Sequence, residues 1–219
     1  MRLTVFNGSA RGKKGNSKII LDHFLRGFEA TPGNTVELYY LNRLKDTDQF
    51  VQAFADAETV LIAHPLYTDA MPGIVKAFIE ALEPLVSREG KPAIGILVQS
   101  GFVEAAHLRP IERYWEKLSR RISSRYLGAI IRGGCLPIHR KEEQFHTVLE
   151  GFYEIGKTFG ETGEFDQEMI RKFAGPEKLP GLMRFIIKLV WKISGNSFFD
   201  DWLKEHNVLE ESFAKPYVE

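Results

Sequence analysis

The sequence predicts an α/β fold: a three-layer α/β/α sandwich built on a five-stranded parallel sheet of order 2-1-3-4-5. Three observations predict it. Five short apolar or β-branched runs are separated by stretches with helical stripes, the third is a continuous β-branched run and the fourth is apolar throughout, and a small basic loop joins the first run to the first helix. Parallel neighbours need long connections, which are right-handed in nearly all cases, so alternation of strand and helix implies this sheet. Unbroken apolar runs suit strands covered on both faces. Ligands in such sheets bind beyond the carboxyl ends of the strands where the order reverses, here between strands 1 and 3.

The elements follow in order. Leu3, Val5 and Phe6 open strand 1, and residues 17 to 30 place Ile20, Leu21, Phe24, Leu25 and Phe28 on one helical face, with Asn16 or Ser17 able to cap it. Thr31-Pro32-Gly33-Asn34 stops that helix, and Val36 to Leu41 reads as strand 2. A short helix near Asp48 to Ala57 leads to strand 3, Thr59 to His64. Pro72 suits a first helical turn and precedes the stripe Ile74, Val75, Phe78, Ile79 and Leu82. Strand 4 is Ala93 to Val98, and the helix from about Ala105 to Arg121 turns Ile111, Tyr114, Trp115 and Leu118 inward. Strand 5 is Tyr126 to Ile131, and a last crossover helix runs from about Glu142 to Phe159.

Composition bounds the function. The 219 residues suit one domain plus an extension, read as 1–165 and 166–219. Twenty-nine basic residues balance 29 acidic ones, so no global field argues for nucleic acid or an anionic surface, and any electrostatic function is local. The single Cys135 excludes an intrachain disulfide and fits a reducing cytosol. The apolar run at Met1 to Asn7 is too short for a secretory signal, and no stretch approaches the ~20 apolar residues that cross a bilayer, so a cytoplasmic protein is expected.

Asn7-Gly8-Ser9-Ala10-Arg11-Gly12-Lys13-Lys14-Gly15-Asn16-Ser17 carries the chemistry. The first N–H groups of a helix lack intrahelical partners and sit at the positive end of the dipole, which stabilises a phosphate without a metal. Gly8, Gly12 and Gly15 permit close approach, Ser9, Asn16 and Ser17 offer hydrogen bonds, and Arg11, Lys13 and Lys14 add charge. The G-x-x-x-x-G-K-[ST] and G-x-G-x-x-G patterns both fail, leaving a monophosphate loop or an ordinary glycine-rich turn.

The loop Pro65 to Gly73 after strand 3 has parts for holding a planar ring: Tyr67 for a face or edge and the N–H groups of Leu66 to Thr68 for a polar rim, although Tyr67 also reads as a packing residue and Asp69 as a turn residue. In the loop after strand 4, Ser100 and Gly101 allow close backbone approach and Phe102 can stack or gate, while Glu104 reads as a helix-start acid and His107 as a helix-surface residue. The six histidines show no metal-ligand spacing, no G-x-S-x-G elbow occurs, and Cys135 reads as an inert thiol at a strand end.

Taken together, Asn7-Gly8-Ser9-Ala10-Arg11 through Gly15-Asn16-Ser17, followed by Pro65-Leu66-Tyr67, Met71-Pro72-Gly73, Lys76 and Phe78, resemble the NAD(P)H-dependent FMN reductase group of flavodoxin-like proteins over roughly residues 1 to 160. The resemblance implies FMN as cofactor and NAD(P)H as co-substrate. It implies phosphate binding by Ser9, Arg11, Asn16 and Ser17 and ring binding by Pro65, Leu66, Tyr67 and Thr68. Ser100 and Gly101 are carried over from loop position. Ala10 stands where the family commonly has proline, and the cysteine cluster of its iron–sulfur branch is missing. The resemblance further implies a flavin oxidoreductase acting by alternating half-reactions on a small acceptor, such as a quinone, a nitro or azo compound, or free flavin, and a homodimer. A flavodoxin-like electron carrier or regulatory module acting on a protein partner is the alternative, although such carriers tend to be acidic and this chain is neutral.

Beyond residue 165, the segment 181–194 reads as a basic amphipathic helix with Arg184, Lys188 and Lys192 spaced by four. It can lie on a membrane surface, dock on a partner subunit or cover its own domain. Phe198, Phe199 and Trp202 directly after it favour docking within the protein or dimer.

Overall fold

In the computed structural model, which describes residues 1–86, 90–195 and 197–214, the strands are β1 (Arg2–Asn7), β2 (Thr35–Tyr40), β3 (Thr59–Pro65), β4 (Ala93–Gln99) and β5 (Tyr126–Arg132). All pair in parallel in the order β2-β1-β3-β4-β5, as the alternation of strand and helix predicts. Between them lie α1 (Asn16–Glu29), α2 (Thr47–Ala55), α3 (Gly73–Ala81) and α4 (Arg109–Arg121), followed by α5 (His146–Thr162) and α6 (Gln167–Phe173).

Alternating side chains of each strand feed two cores. Leu61 and Ala63 of β3 face a layer of α1 and α5 that holds Phe24, Phe28, Phe152 and Phe159. Val60 and Ile62 face the opposite layer, where Phe50, Phe54, Phe78 and Trp115 of α2, α3 and α4 pack. The helices α1 and α5 touch backbone to side-chain position: a Cβ on Gly156 would stand 2.0 Å from the carbonyl oxygen of Phe24. Glycine is required there by the closeness of the two helices.

Two expectations change. Tyr114 is 38% exposed rather than inward, with its ring edge-on to the buried Trp115, so the apolar stripe of α4 is narrower than the pattern suggests. The first compact unit extends to Lys178, past the expected boundary at 165. The reason is α6, whose Ile170 is buried, while Gln167 Nε2 donates to Leu127 O at 3.0 Å. Asp166 caps α6 by accepting from the N–H groups of Glu168 and Met169. The second unit, Leu179–Glu219, carries α7 (Gly181–Ser194) and α8 (Ser197–Glu205). No helix among the described residues is long and apolar enough to cross a membrane.

The register places the ends of four strands side by side. Asn7 pairs with Ala63, Pro65 with Gln99, and Gln99 with Arg132. The loops that leave these positions therefore share one edge of the sheet.

Candidate active site

At that edge, Ser9, Arg11, Gly15, Asn16, Pro65, Leu66, Tyr67, Gln99, Ser100, Gly101 and Leu136 line a cleft of about 210 Å³. Eight of the ten residues expected from sequence are in this lining, and Ser17 and Thr68 are not.

The first wall is the β1–α1 loop. The Asn7 side chain turns the chain as it leaves the sheet, accepting from Ser9 N–H at 2.9 Å. Gly8 then passes against α3 so closely that a Cβ would meet Val75 Cγ2 at 2.2 Å. The helix begins with Gly15 as N-cap and no side-chain hydrogen bond, which corrects the expectation that Asn16 or Ser17 caps it. The first turn carries no acidic residue either. Its N–H groups thus face the loop without a side-chain acceptor, at the positive end of a 14-residue dipole. Ser17 is buried, and its hydroxyl has no hydrogen-bond partner among the described residues. A buried hydroxyl left in this state costs stability unless something else bonds it.

Asn16 plays another part than its expected one. Its Nδ2 donates to the carbonyls of Cys135 and Leu136 at 2.7 and 3.1 Å, and its Oδ1 accepts from His139 N–H at 3.1 Å. That side chain braces the loop after β5 and leaves only the Asn16 backbone for a ligand. Arg11 is exposed and makes no salt bridge among the described residues. It lies close enough to His139 to help hold that imidazole below its usual range, after the larger effect of burial.

The second wall leaves β3. His64 is fully buried, its Nε2 accepting from Trp115 Nε1–H at 2.9 Å and its Nδ1 lying 3.0 Å from Pro65 O. An indole N–H only donates, so Nε2 accepts and Nδ1 carries the proton given to Pro65. Burial lowers the imidazole to about 4, and it stays neutral. The expected rim of N–H groups is partly consumed: Leu66 N–H bonds Gln99 O at 2.8 Å and Tyr67 N–H bonds Ala70 O at 2.9 Å. The second bond closes a two-residue turn with Thr68 at φ 48° and Asp69 at φ 62°. Two positive φ values define the tight primed turn that favours Asn-Gly, and a β-branched threonine is strained there. Thr68→Asn is expected to raise the unfolding free energy by about 1 kcal/mol, read by urea denaturation.

The third wall joins the loops after β4 and β5. Ser100 N–H bonds Arg132 O at 3.0 Å, Cys135 N–H bonds Ser100 O at 2.8 Å, and Ser100 Oγ donates to Phe102 O at 2.9 Å. These bonds hold Gly101 at the cleft, where a Cβ would meet the Leu136 side chain at 3.4 Å. Phe102 stacks on His107 with centroids 4.6 Å apart, and His107 stands 3.7 Å from both Asp69 and Glu104, so the histidine is more than the isolated helix-surface residue that the sequence suggests. Cys135 is buried, its thiol pushed up by burial to about 12, as expected of an inert group. Gln99, the last residue of β4, and Leu136, in the loop after β5, were not expected in the lining.

The set suits the phosphate and ring of FMN. Ser9, Arg11, Gly15 and Asn16 line one end at the start of α1, whose first turn has no acidic residue and carries the buried Ser17 hydroxyl just outside the lining. Pro65, Leu66, Tyr67 and Gly101 give the other end an apolar and backbone wall. Among the described residues no group of three His, Cys, Asp or Glu is placed to hold a metal ion. Fold and site together define a flavin-binding α/β protein of the flavodoxin-like class. Residues 1–117 match the model of the family described as NADPH-dependent FMN reductase, and the chain belongs to that family. It is accordingly a flavin oxidoreductase that uses FMN, with NAD(P)H as electron donor.

Solved structures support the fold. An NAD(P)H:quinone oxidoreductase from Methanothermobacter marburgensis is 15% identical, with a TM-score of 0.60 over 73% of this chain and 96% of that one. An FMN-dependent NADH-azoreductase from Bacillus anthracis str. Ames Ancestor, solved in complex with FMN, is 13% identical, with a TM-score of 0.57 over 73% of this chain and all of that one. The azoreductase AzrA is similar at 16% identity and a TM-score of 0.57, over the same shares of the two chains. No curated protein sequence matches the chain.

Proposed function

We propose that this chain oxidises NAD(P)H and reduces a small acceptor, such as a quinone, a nitro or azo compound, or free flavin, in two alternating half-reactions at the cleft between β1, β3 and β4. The observation that carries the proposal is the uncapped, acid-free first turn of α1 with the buried Ser17 hydroxyl, which has no partner among the described residues. The residues at this cleft would hold FMN, which would supply the hydride chemistry between the nicotinamide and the acceptor.

The protein's own residues bind and orient. Ser9, Ser17, Arg11 and the backbone of Asn16 hold the phosphate. Pro65, Leu66 and Tyr67 form the ring wall, which His64 and Trp115 fix from behind through the Pro65 carbonyl. Ser100 and Gly101 close the other side, Ser100 through its backbone bonds to Arg132 and Cys135. None of these side chains is needed as a general acid or base. Thr68, outside the cleft lining, has no part in this assignment.

Ser17→Ala separates binding from folding. Removing a buried hydroxyl that lacks a partner leaves the apoprotein at least as stable, while loss of a hydrogen bond to a charged phosphate weakens FMN by about 10-fold. Thermal unfolding of the apoprotein and fluorescence titration with FMN read the two effects. Parallel double-reciprocal lines for NADH or NADPH against a quinone and an azo dye test the alternating order, and intersecting lines would refute it. The reading includes a homodimer at work in the cytoplasm, and light scattering of the purified chain tests the dimer.

A further inference from the structure

The second unit carries a surface that the flavin chemistry does not use. Residues 178–199 contain Lys178, Arg184, Lys188 and Lys192 and no aspartate or glutamate, in a chain whose charges balance only as a whole. Within it, α7 has 14 residues and is about 21 Å long, less than the ~30 Å hydrocarbon core of a bilayer. At about 100° per residue, its three cations occupy a sector of roughly 80°. The apolar side chains run round the remaining arc from Phe185 through Leu182, Ile193, Ile186 and Val190 to Ile187, a span of roughly 200°, and all six are exposed, Leu182 and Ile193 by 73% and 78%. Among the described residues, no salt bridge engages Arg184, Lys188 or Lys192.

We propose that α7 lies in the surface of a membrane containing anionic phospholipid, with its apolar arc among the acyl chains and Arg184, Lys188 and Lys192 against the lipid phosphates. Two features select this occupant over a second copy of the chain. A packed helix partner covers a stripe of about 100°, and the apolar arc of α7 is roughly twice as wide, whereas a lipid phase wraps any arc. The cations also require an anionic partner, and α7 of a second copy laid against this one brings the same three positive charges and no carboxylate, the acidic residues of the unit beginning only at Asp200. The chain's overall neutrality hides this local asymmetry. The inference stands apart from the flavin site and does not depend on it.

Flotation of the full-length protein with phosphatidylcholine vesicles, with and without phosphatidylglycerol, tests it. Binding is expected only to the anionic vesicles, weakening with added salt. The triple variant R184E/K188E/K192E is expected to lose about 100-fold or more in partitioning, since each cation near an anionic surface contributes roughly fivefold. Phe185→Ser with Leu189→Ser is expected to lose it as well, and unchanged flavin absorbance per chain shows that both variants fold. No flotation with either vesicle, or equal flotation with both that survives charge reversal, overturns the proposal. It is equally overturned if the apolar variant converts a dimer to a monomer while the parent chain ignores vesicles.

Discussion

Replacing Ser9 by aspartate is expected to abolish FMN binding at micromolar concentration while leaving the apoprotein folded. Ser9 is buried at the loop, and its hydroxyl lies so near the N-cap that a Cβ on Gly15 would come within 2.7 Å of it. A carboxylate at position 9 would sit where the account puts the phosphate, with the first N–H groups of α1 as partners. The helix dipole and Arg11 stabilise that carboxylate, so apoprotein stability should hold or rise. The phosphate, by contrast, loses its donors and meets a like charge. With hydrogen bonds to charged groups contributing about 1.5–3 kcal/mol each, the loss of two or more is at least a 100-fold rise in Kd. Ser9→Asn, which keeps size without charge, should fall between the two. Equal titration curves for Ser9→Asp and the parent would remove phosphate from this loop.

The second large effect is on stability and comes from His64. Burial pushes its imidazole down to about 4, from the ordinary 6.5 of an exposed histidine. Between these values the unfolded chain binds a proton that the folded chain refuses, so stability rises with pH. The contribution is fully present above pH 6.5 and is lost as pH falls toward 4. At about 1.4 kcal/mol per unit, the loss reaches roughly 3 kcal/mol by pH 4. His64→Gln keeps an acceptor for Trp115 and cannot be charged. Its unfolding free energy should start lower at pH 7 and converge with that of the parent as the solution is acidified. Urea curves at pH 7, 6 and 5 read the difference, and a constant gap would contradict the protonation account.

Much of the fold was legible because it depends on patterns inside single segments. The continuous run of β3 and the stripe of α1 each specify an element and the faces it buries, and parallel pairing with right-handed crossovers does the rest. The cleft was legible for a related reason: strand ends of a parallel sheet meet at the switch point whatever their side chains. Hydrogen bonds between distant segments were not. Asn16 reads as a phosphate ligand or a cap, but its amide is taken by carbonyls 119 and 120 residues away. The N–H groups of Leu66 and Tyr67 look available until Gln99 and Ala70 claim them. Trp115 reads as plain core, and its bond to His64, which fixes the Pro65 carbonyl, depends on α4 crossing β3 at one height. The domain edge slipped for a similar reason, since Phe165 and Ile170 carry too short an apolar signal to announce that α6 belongs to the sheet.

The most direct test of the account is a crystal structure of the chain with FMN. The phosphate is expected within hydrogen-bonding distance of Ser17 Oγ and the first N–H groups of α1, with the ring against Pro65, Leu66 and Tyr67. A phosphate bound at any other place, or a Ser17 hydroxyl still without a partner in the complex, would contradict it.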